Sequence, residues 1–165
     1  MKKIFLAVFV TMTTASFAQS TGFGIQFGKP LAGLSVHHYL NETSSLQGVF
    51  SPNSISLLGV TYSFNQFTAR YLHHIDQGNT ATPYFYGEGG GVLFSYSDDW
   101  GGADLSTFVP RIGLGGGVEW RLGKTKNFGI MLDAGIQHTF WNESTLGFSF
   151  SSTRLATGLG FHYYL

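Results

Sequence analysis

Thr153 to Leu165, TRLATGLGFHYYL, reads as one β-strand with two unlike faces. Leu155, Thr157, Leu159, Phe161, Tyr163 and Leu165 fall on one side. Arg154, Ala156, Gly158, Gly160, His162 and Tyr164 fall on the other. A period of two is the signature of an extended chain whose side chains alternate across the strand. One row is apolar and closes in aromatics, whereas the other is small or polar. The same pattern returns upstream. Ile112, Leu114, Gly116, Val118, Trp120 and Leu122 alternate with Arg111, Gly113, Gly115, Gly117, Glu119 and Arg121. Phe128, Ile130, Leu132, Ala134 and Ile136 alternate with residues that include Met131, Asp133 and Gln137. Apolar-out, polar-in strands suit a closed barrel whose outer wall meets lipid.

Composition leads to the same architecture. Charged residues are only 11% of the chain and aromatics reach 16%, yet no later segment offers 18 uninterrupted apolar residues for a spanning helix. A chain that crosses lipid without helices must close its sheet, because an open edge leaves backbone groups unpaired in hydrocarbon. The fold expected is therefore all-β: a closed antiparallel up-and-down barrel of eight strands. Many of the 23 glycines sit inside the alternating segments, where they relieve crowding in a narrow interior.

The amino end supplies an address. Met1-Lys2-Lys3 is cationic, Ile4 to Val10 is apolar, and Ser16-Phe17-Ala18 is a small-x-small cleavage site. This three-part pattern predicts a secretory signal peptide over residues 1–18 and a barrel domain over 19–165. Without Lys2 and Lys3 the mature chain keeps 7 of its 9 basic residues against 9 acidic ones. That slightly negative balance argues against nucleic acid as a partner, since phosphate backbones need a basic patch. The absence of cysteine excludes disulfides, thiol nucleophiles and thiolate metal sites.

The strands are expected at 21–28, 33–39, 44–64, 67–75, 84–96, 108–122, 128–140 and 153–165. The third is read as long and bulged, with Asn65-Gln66 as the turn after it. In the fifth, Val92, Phe94 and Tyr96 are taken as the lipid side. Strict alternation then puts Glu88 on that side too, where a bare carboxylate is costly. A bulge at Gly89-Gly90-Gly91 or an interfacial position for Glu88 would each resolve the conflict. Ser97 to Leu105 and Trp141 to Ser152 are expected as the long outer loops, with Trp100, Trp120 and Trp141 in interfacial girdles.

The last strand resembles the C-terminal targeting strand of bacterial outer-membrane proteins, although it ends in Leu165 rather than the usual Phe or Trp. The organisation of the whole mature chain resembles small eight-stranded barrels of the OmpA and OmpX type, and the phrases GFGIQFGKP, RYLHHI, PYFYGEGGG and GLGFHYYL resemble those of a broad set of uncharacterised bacterial outer-membrane barrels. That resemblance implies an outer-membrane location, contact with outer-membrane lipid and lipopolysaccharide, handling by the barrel-assembly machinery, and an extracellular ligand, if any, at the loops. Leu159, Phe161, Tyr163 and Leu165 would form the targeting row.

Three groups of residues invite a chemical reading. Arg70, Arg111, Glu119, Arg121, Asp133 and Arg154 are expected inside the barrel, where eight strands leave only enough room for side chains to fill. Buried charges must be paired, so an ion-paired plug is expected. His37, His74 and His162 are expected near one end of the lumen, but their spacing is not a compact metal-ligand signature. No cofactor is implied. Finally, the stretch from Gly135 to Asn142 resembles the active-site segment of PagL-type lipid A deacylases, with His138 at the histidine. The nucleophile position is Phe140, which has no hydroxyl, and ester hydrolysis by that mechanism needs an activated oxygen. A non-catalytic barrel is thus expected, with a lipid-modifying enzyme as the alternative.

Overall fold

The computed structural model describes residues 21–29, 32–57, 60–75, 81–98, 105–143 and 148–165. The predicted signal peptide lies outside the described residues. All the regular structure is β: β1 (Thr21–Lys29), β2 (Gly33–Asn41), β3 (Ser44–Ser51), β4 (Ser54–Leu57), β5 (Val60–His74), β6 (Ala81–Asp98), β7 (Leu105–Leu122), β8 (Phe128–Glu143) and β9 (Phe148–Tyr164). Both β3 and β4 pair with β5, in one unbroken register from Ser44↔His73 to Leu57↔Val60. They are two parts of a single wall strand. Pro52 interrupts the ladder because it has no N–H to give, while Phe64 N still donates to Asn53 O (2.7 Å). The wall therefore has eight strands, every neighbouring pair antiparallel, and β9 closes it against β1 from Gly22↔Tyr164 to Lys29↔Thr157.

The ladder is staggered. Followed one way from Ile25, partners run through Leu34, Phe50 and Phe67 to Gly91. Followed the other way they run through Phe161, Ile130 and Trp120 to Ala81, ten residues away on the same strand. A stagger of this size on eight strands requires a tilt of about 40° and leaves an interior that side chains fill. Phe23, Leu34, Phe85, Leu114, Leu132 and Leu155 are exposed on the outer wall. Gln26, His37, Gln47, Arg70, Glu119 and Asp133 are buried within. The lower end carries Thr21, Leu165 and the Gly123–Asn127 turn, which closes with Lys126 N donating to Gly123 O (3.2 Å) and Gly123 at a positive φ of 85°. The upper end carries the ends of β6, β7, β8 and β9 at Asp98, Leu105, Glu143 and Phe148.

Four expectations need correction. The reversal expected at Asn65-Gln66 falls between Leu57 and Val60, and Gln66 is a mid-strand residue paired with Ser51 and Val92. The third strand has no bulge. The register of β6 also runs straight through Gly89-Gly90-Gly91, from Val60↔Asp98 to His74↔Tyr84. Val92, Phe94 and Tyr96 therefore share the inner side with Glu88, and the outer row is Phe85, Gly87, Gly89, Gly91 and Leu93. Lastly, β8 and β9 continue to Glu143↔Phe148, so most of the stretch from Trp141 to Ser152 is strand rather than loop. Trp141 lies on the inner side against Phe94 (ring centroids 5.1 Å) instead of in a girdle, and Trp100 lies outside the described residues.

Candidate functional site

The interior is divided into three polar storeys. At the lower end Glu119 is wholly buried and held from three directions. Tyr39 donates its hydroxyl to Oε2, Tyr164 donates to Oε1 (2.7 Å), and Arg121 Nε donates to Oε1 (2.8 Å). The Arg121 guanidinium also stacks on the Tyr164 ring (3.4 Å) and the Tyr39 ring (4.8 Å). The hydroxyl proton of Tyr164 is committed to Glu119, so His37 Nδ1 must donate to Tyr164 Oη (2.7 Å). His37 Nε2 is then an acceptor and takes the proton of Ser45 (2.7 Å), whose oxygen accepts from His74 Nε2 (3.0 Å). The order His74, Ser45, His37, Tyr164, Glu119 is a chain of donors pointing one way, ending on a carboxylate. Such chains polarise their members and strengthen one another. This assignment also leaves His74 Nδ1 an acceptor, consistent with its lack of a donor. His162 sits beside this group but turns upward, with Nε2 bonded to Ser35 Oγ (2.9 Å). Among the described residues no cluster of His, Cys, Asp or Glu is arranged to hold a metal ion.

The middle storey is built on Arg70. Its Nε donates to Glu88 Oε2 (2.8 Å) and its Nη1 to Asp133 Oδ2 (3.2 Å), all three side chains being nearly sealed from solvent. Arg70 and Glu88 are direct cross-strand partners. Amides complete the set: Gln26 donates to Asp133 (3.3 Å), Gln47 donates to Gln26 (3.2 Å) and to Ser35 (3.0 Å), and Gln137 donates to Glu88. Gly158 makes room for this, since a Cβ there would stand 2.6 Å from Asp133 Oδ1. The Tyr86 ring lies under the Arg70 guanidinium (4.7 Å).

The upper storey is different in kind. Arg111 is buried, but its partners are neutral: Nη2 donates to Thr68 Oγ1 (2.7 Å) and Nη1 to Gln66 Oε1 (3.3 Å). Arg154 shares the inward parity but is exposed, and reaches only Thr139 Oγ1 (3.5 Å). The fold thus brings together Arg70 with Asp133, and Glu119 with Arg121. Among the described residues Arg111 and Arg154 make no direct ion pair.

Sequence reasoning left Glu88 without a place, and gave no role to Tyr39, Tyr164, Gln26 or Gln47. Glu88 was recoverable: the β5–β6 register that passes through His74↔Tyr84 sets it opposite Arg70. The contribution of the two tyrosines depends on where β2, β7 and β9 meet, which no local pattern encodes.

His138 faces outward, half-buried, beside Phe140 (ring centroids 4.5 Å). Thr139 points to the opposite face. A hydroxyl nonetheless arrives from the neighbouring strand: Thr153 Oγ1 lies 2.7 Å from His138 Nδ1. This pair borders a shallow apolar groove formed by Ile112, Leu114 and Ile136.

No protein-family model matches the sequence. No curated protein matches it either. Among solved structures the chain is similar to Ail, the attachment invasion locus protein of Yersinia pestis, determined in complex with the heparin analogue sucrose octasulfate. The identity is 14% over 88% of this chain and 95% of that one, with a TM-score of 0.52. It is also similar to the N-terminal β-barrel domain of Pseudomonas aeruginosa OprF (16% identity, 89% and 96% covered, TM-score 0.47). Neisserial surface protein A is a further match (15% identity, 88% and 94% covered, TM-score 0.47). The likeness is one of fold: the chain has the architecture of the small eight-stranded outer-membrane β-barrels.

Proposed function

We propose that the chain is an integral outer-membrane protein that crosses the lipid as a filled, non-conducting barrel and acts through its outward-facing end without catalysing a reaction. One observation carries this reading. An exposed apolar wall encloses an interior of ion pairs and amides, the inverse of a protein dissolved in water. Contiguous apolar surface of this extent is sustained by lipid rather than water. An eight-stranded lumen is only wide enough for side chains to fill, which supports a barrel without the aqueous channel of larger ones. The partners implied are outer-membrane lipid and lipopolysaccharide along the wall, the barrel-assembly machinery during insertion, and an extracellular ligand at the connections 99–104 and 144–147.

Insertion depends on the closing strand. Tyr163 and Leu165 are exposed on the outer wall, with Phe161 half-buried between Phe27 and Phe128 (centroids 6.4 and 6.5 Å). Replacing both Phe161 and Tyr163 with Asp places two charges at lipid depth, each costing several kcal/mol on the order of membrane-insertion scales. Cell fractionation should find this variant exported but not inserted. A heat-modifiable outer-membrane band from the double variant contradicts the reading.

The His138–Thr153 pair favours a second reading, a lipid-modifying enzyme whose hydroxyl comes from β9 rather than from the position of Phe140. Mass spectra of lipid A from cells with and without the protein separate the two. An acyl chain lost on expression and restored by both His138→Ala and Thr153→Val establishes the enzyme. Identical spectra leave the non-catalytic barrel.

A further inference from the structure

The outer wall of β7, β8 and β9 changes chemistry at one rung. Read upward, the outward row of β8 is Phe128, Ile130, Leu132, Ala134 and Ile136, all apolar, and then His138. The cross-strand partners of His138 are Ile112 on β7 and Thr153 on β9, and the rung below is Leu114, Ile136 and Leu155. Phe128, opposite Tyr163, belongs to the lower aromatic row, and His138 stands ten residues further along the same strand. At about 3.3 Å per residue and a tilt of about 40°, the imidazole lies roughly 25 Å above that row, the height of the apolar band of an outer-membrane barrel. The His138–Thr153 pair therefore stands where the hydrocarbon of the outward-facing leaflet ends.

A groove of about 150 Å³ opens beside the pair, walled by Ile112, Leu114 and Ile136. An apolar cavity of that size takes a benzene ring, so the groove holds a few methylenes of one chain rather than a whole lipid. Phe140 packs edge-on against the imidazole from the next outward position of β8 (centroids 4.5 Å, 66°). The groove thus has an apolar length and a polar head, and the head is at the membrane interface. His138 Nδ1 and Thr153 Oγ1 share one hydrogen at 2.7 Å. If the hydroxyl donates, Nε2 carries the ring proton; if Nδ1 donates, the hydroxyl proton is left over. Either way one donor remains, and among the described residues these two side chains bond only to each other. A donor at the edge of hydrocarbon is costly without an acceptor. An acyl carbonyl is an acceptor that reaches this depth with an apolar tail attached.

We propose that the His138–Thr153 pair and the adjoining groove seat one acyl chain of lipid A, the acylated glycolipid of the outward-facing leaflet. The acyl carbonyl accepts from the pair, and the first methylenes lie between Leu114 and Ile136. The seat rests on the barrel crossing the outer membrane, and it calls for binding alone, with no bond of the lipid broken.

The test uses the full barrel in phosphatidylcholine nanodiscs with lipid A added at rising mole fraction. It reads the ring-nitrogen resonances of His138, with those of His37 inside the plug as internal reference. The expected result is a His138 shift that saturates while His37 stays in place. Thr153→Val should raise the half-saturating fraction roughly fivefold, the worth of one hydrogen bond. Ile136→Trp fills the groove at an exposed position of the wall and should abolish saturation, whereas Leu132→Trp, lower on the same face, should leave the wild-type curve. A linear response, or a saturating one unchanged in Ile136→Trp, overturns the seat. Phosphatidylglycerol saturating at the same fraction overturns the choice of lipid A, and lipid A recovered short of an acyl chain overturns binding alone. An inserted, heat-modifiable barrel that fails these readouts leaves the envelope reading standing, whereas a barrel that does not enter the discs removes both.

Discussion

The two ends of the lumen solve the problem of buried charge in opposite ways. At the lower end every charge is answered from within the chain. Glu119 accepts from two tyrosines and an arginine, and the arginine is clasped between the same two aromatic rings. At the outer mouth Arg111 is equally buried, but among the described residues it donates to a threonine and a glutamine, and Arg154 to one threonine. The bonds described at the two ends therefore make unequal demands on mutation.

The largest effect is expected at Glu119. Glu119→Ala removes the acceptor for Tyr39, Tyr164 and Arg121 together and strands a partly buried guanidinium. Breaking such a pair costs about 3–5 kcal/mol. Urea unfolding of the barrel in lipid vesicles should show the folded, heat-modifiable form lost at much lower denaturant than in the wild type. A change no greater than that at the mouth would erase the distinction between the ends.

Tyr164→Phe sharpens the comparison by removing a single atom. The ring stays under Arg121, so the cation–π contact survives, and only the hydroxyl is lost. Glu119 then loses a donor and His37 Nδ1 its acceptor, breaking the chain that runs from His74. A cost of about 1–3 kcal/mol is expected for two buried groups left short of a partner. In nuclear magnetic resonance spectra the His37 ring nitrogens should shift while those of His138, on the outer wall, stay in place. A loss of stability with no His37 response would mean that the donor order is not the one described.

These differences were only partly legible in the sequence. The alternation of β7 and β9 is strict, so their inner rows could be read without a partner strand. In β6 the outer row is Gly87, Gly89 and Gly91, and the bulky residues Tyr84, Tyr86, Val92 and Phe94 are inside. The apolar rule then points to the wrong face. Gly91 shows why the glycine row works: the Phe67 and Phe108 rings stack at 5.5 Å and 7° over it, supplying from neighbouring strands the apolar cover that a side chain would give. The strand partition failed at 44–66 for a related reason. Ser51-Pro52-Asn53 looks like a break yet keeps register, and Asn65-Gln66 looks like a turn yet is wall. Local turn chemistry was outweighed by the ladder on both sides. The plug needed both parity, which the sequence has, and the stagger of the barrel, which it does not display.

The smallest effect is expected at Arg154, and it is the most informative for the mouth. Its inward parity resembles that of Arg121, and by sequence alone the two are equivalent. In the fold Arg121 has a carboxylate at 2.8 Å and two rings, whereas Arg154 is exposed with one long bond to Thr139. A solvent-facing arginine with no ion pair among the described residues contributes little, so Arg154→Gln should alter stability by less than about 0.5 kcal/mol. Arg121→Gln, measured alongside, should cost several times more. Equal losses would mean that Arg154 has a structural partner and that both ends of the lumen are closed in the same way. A neutral Arg154→Gln beside a costly Arg121→Gln would show that equal parity does not mean equal weight in the plug, because only one of the two arginines is held by a buried carboxylate.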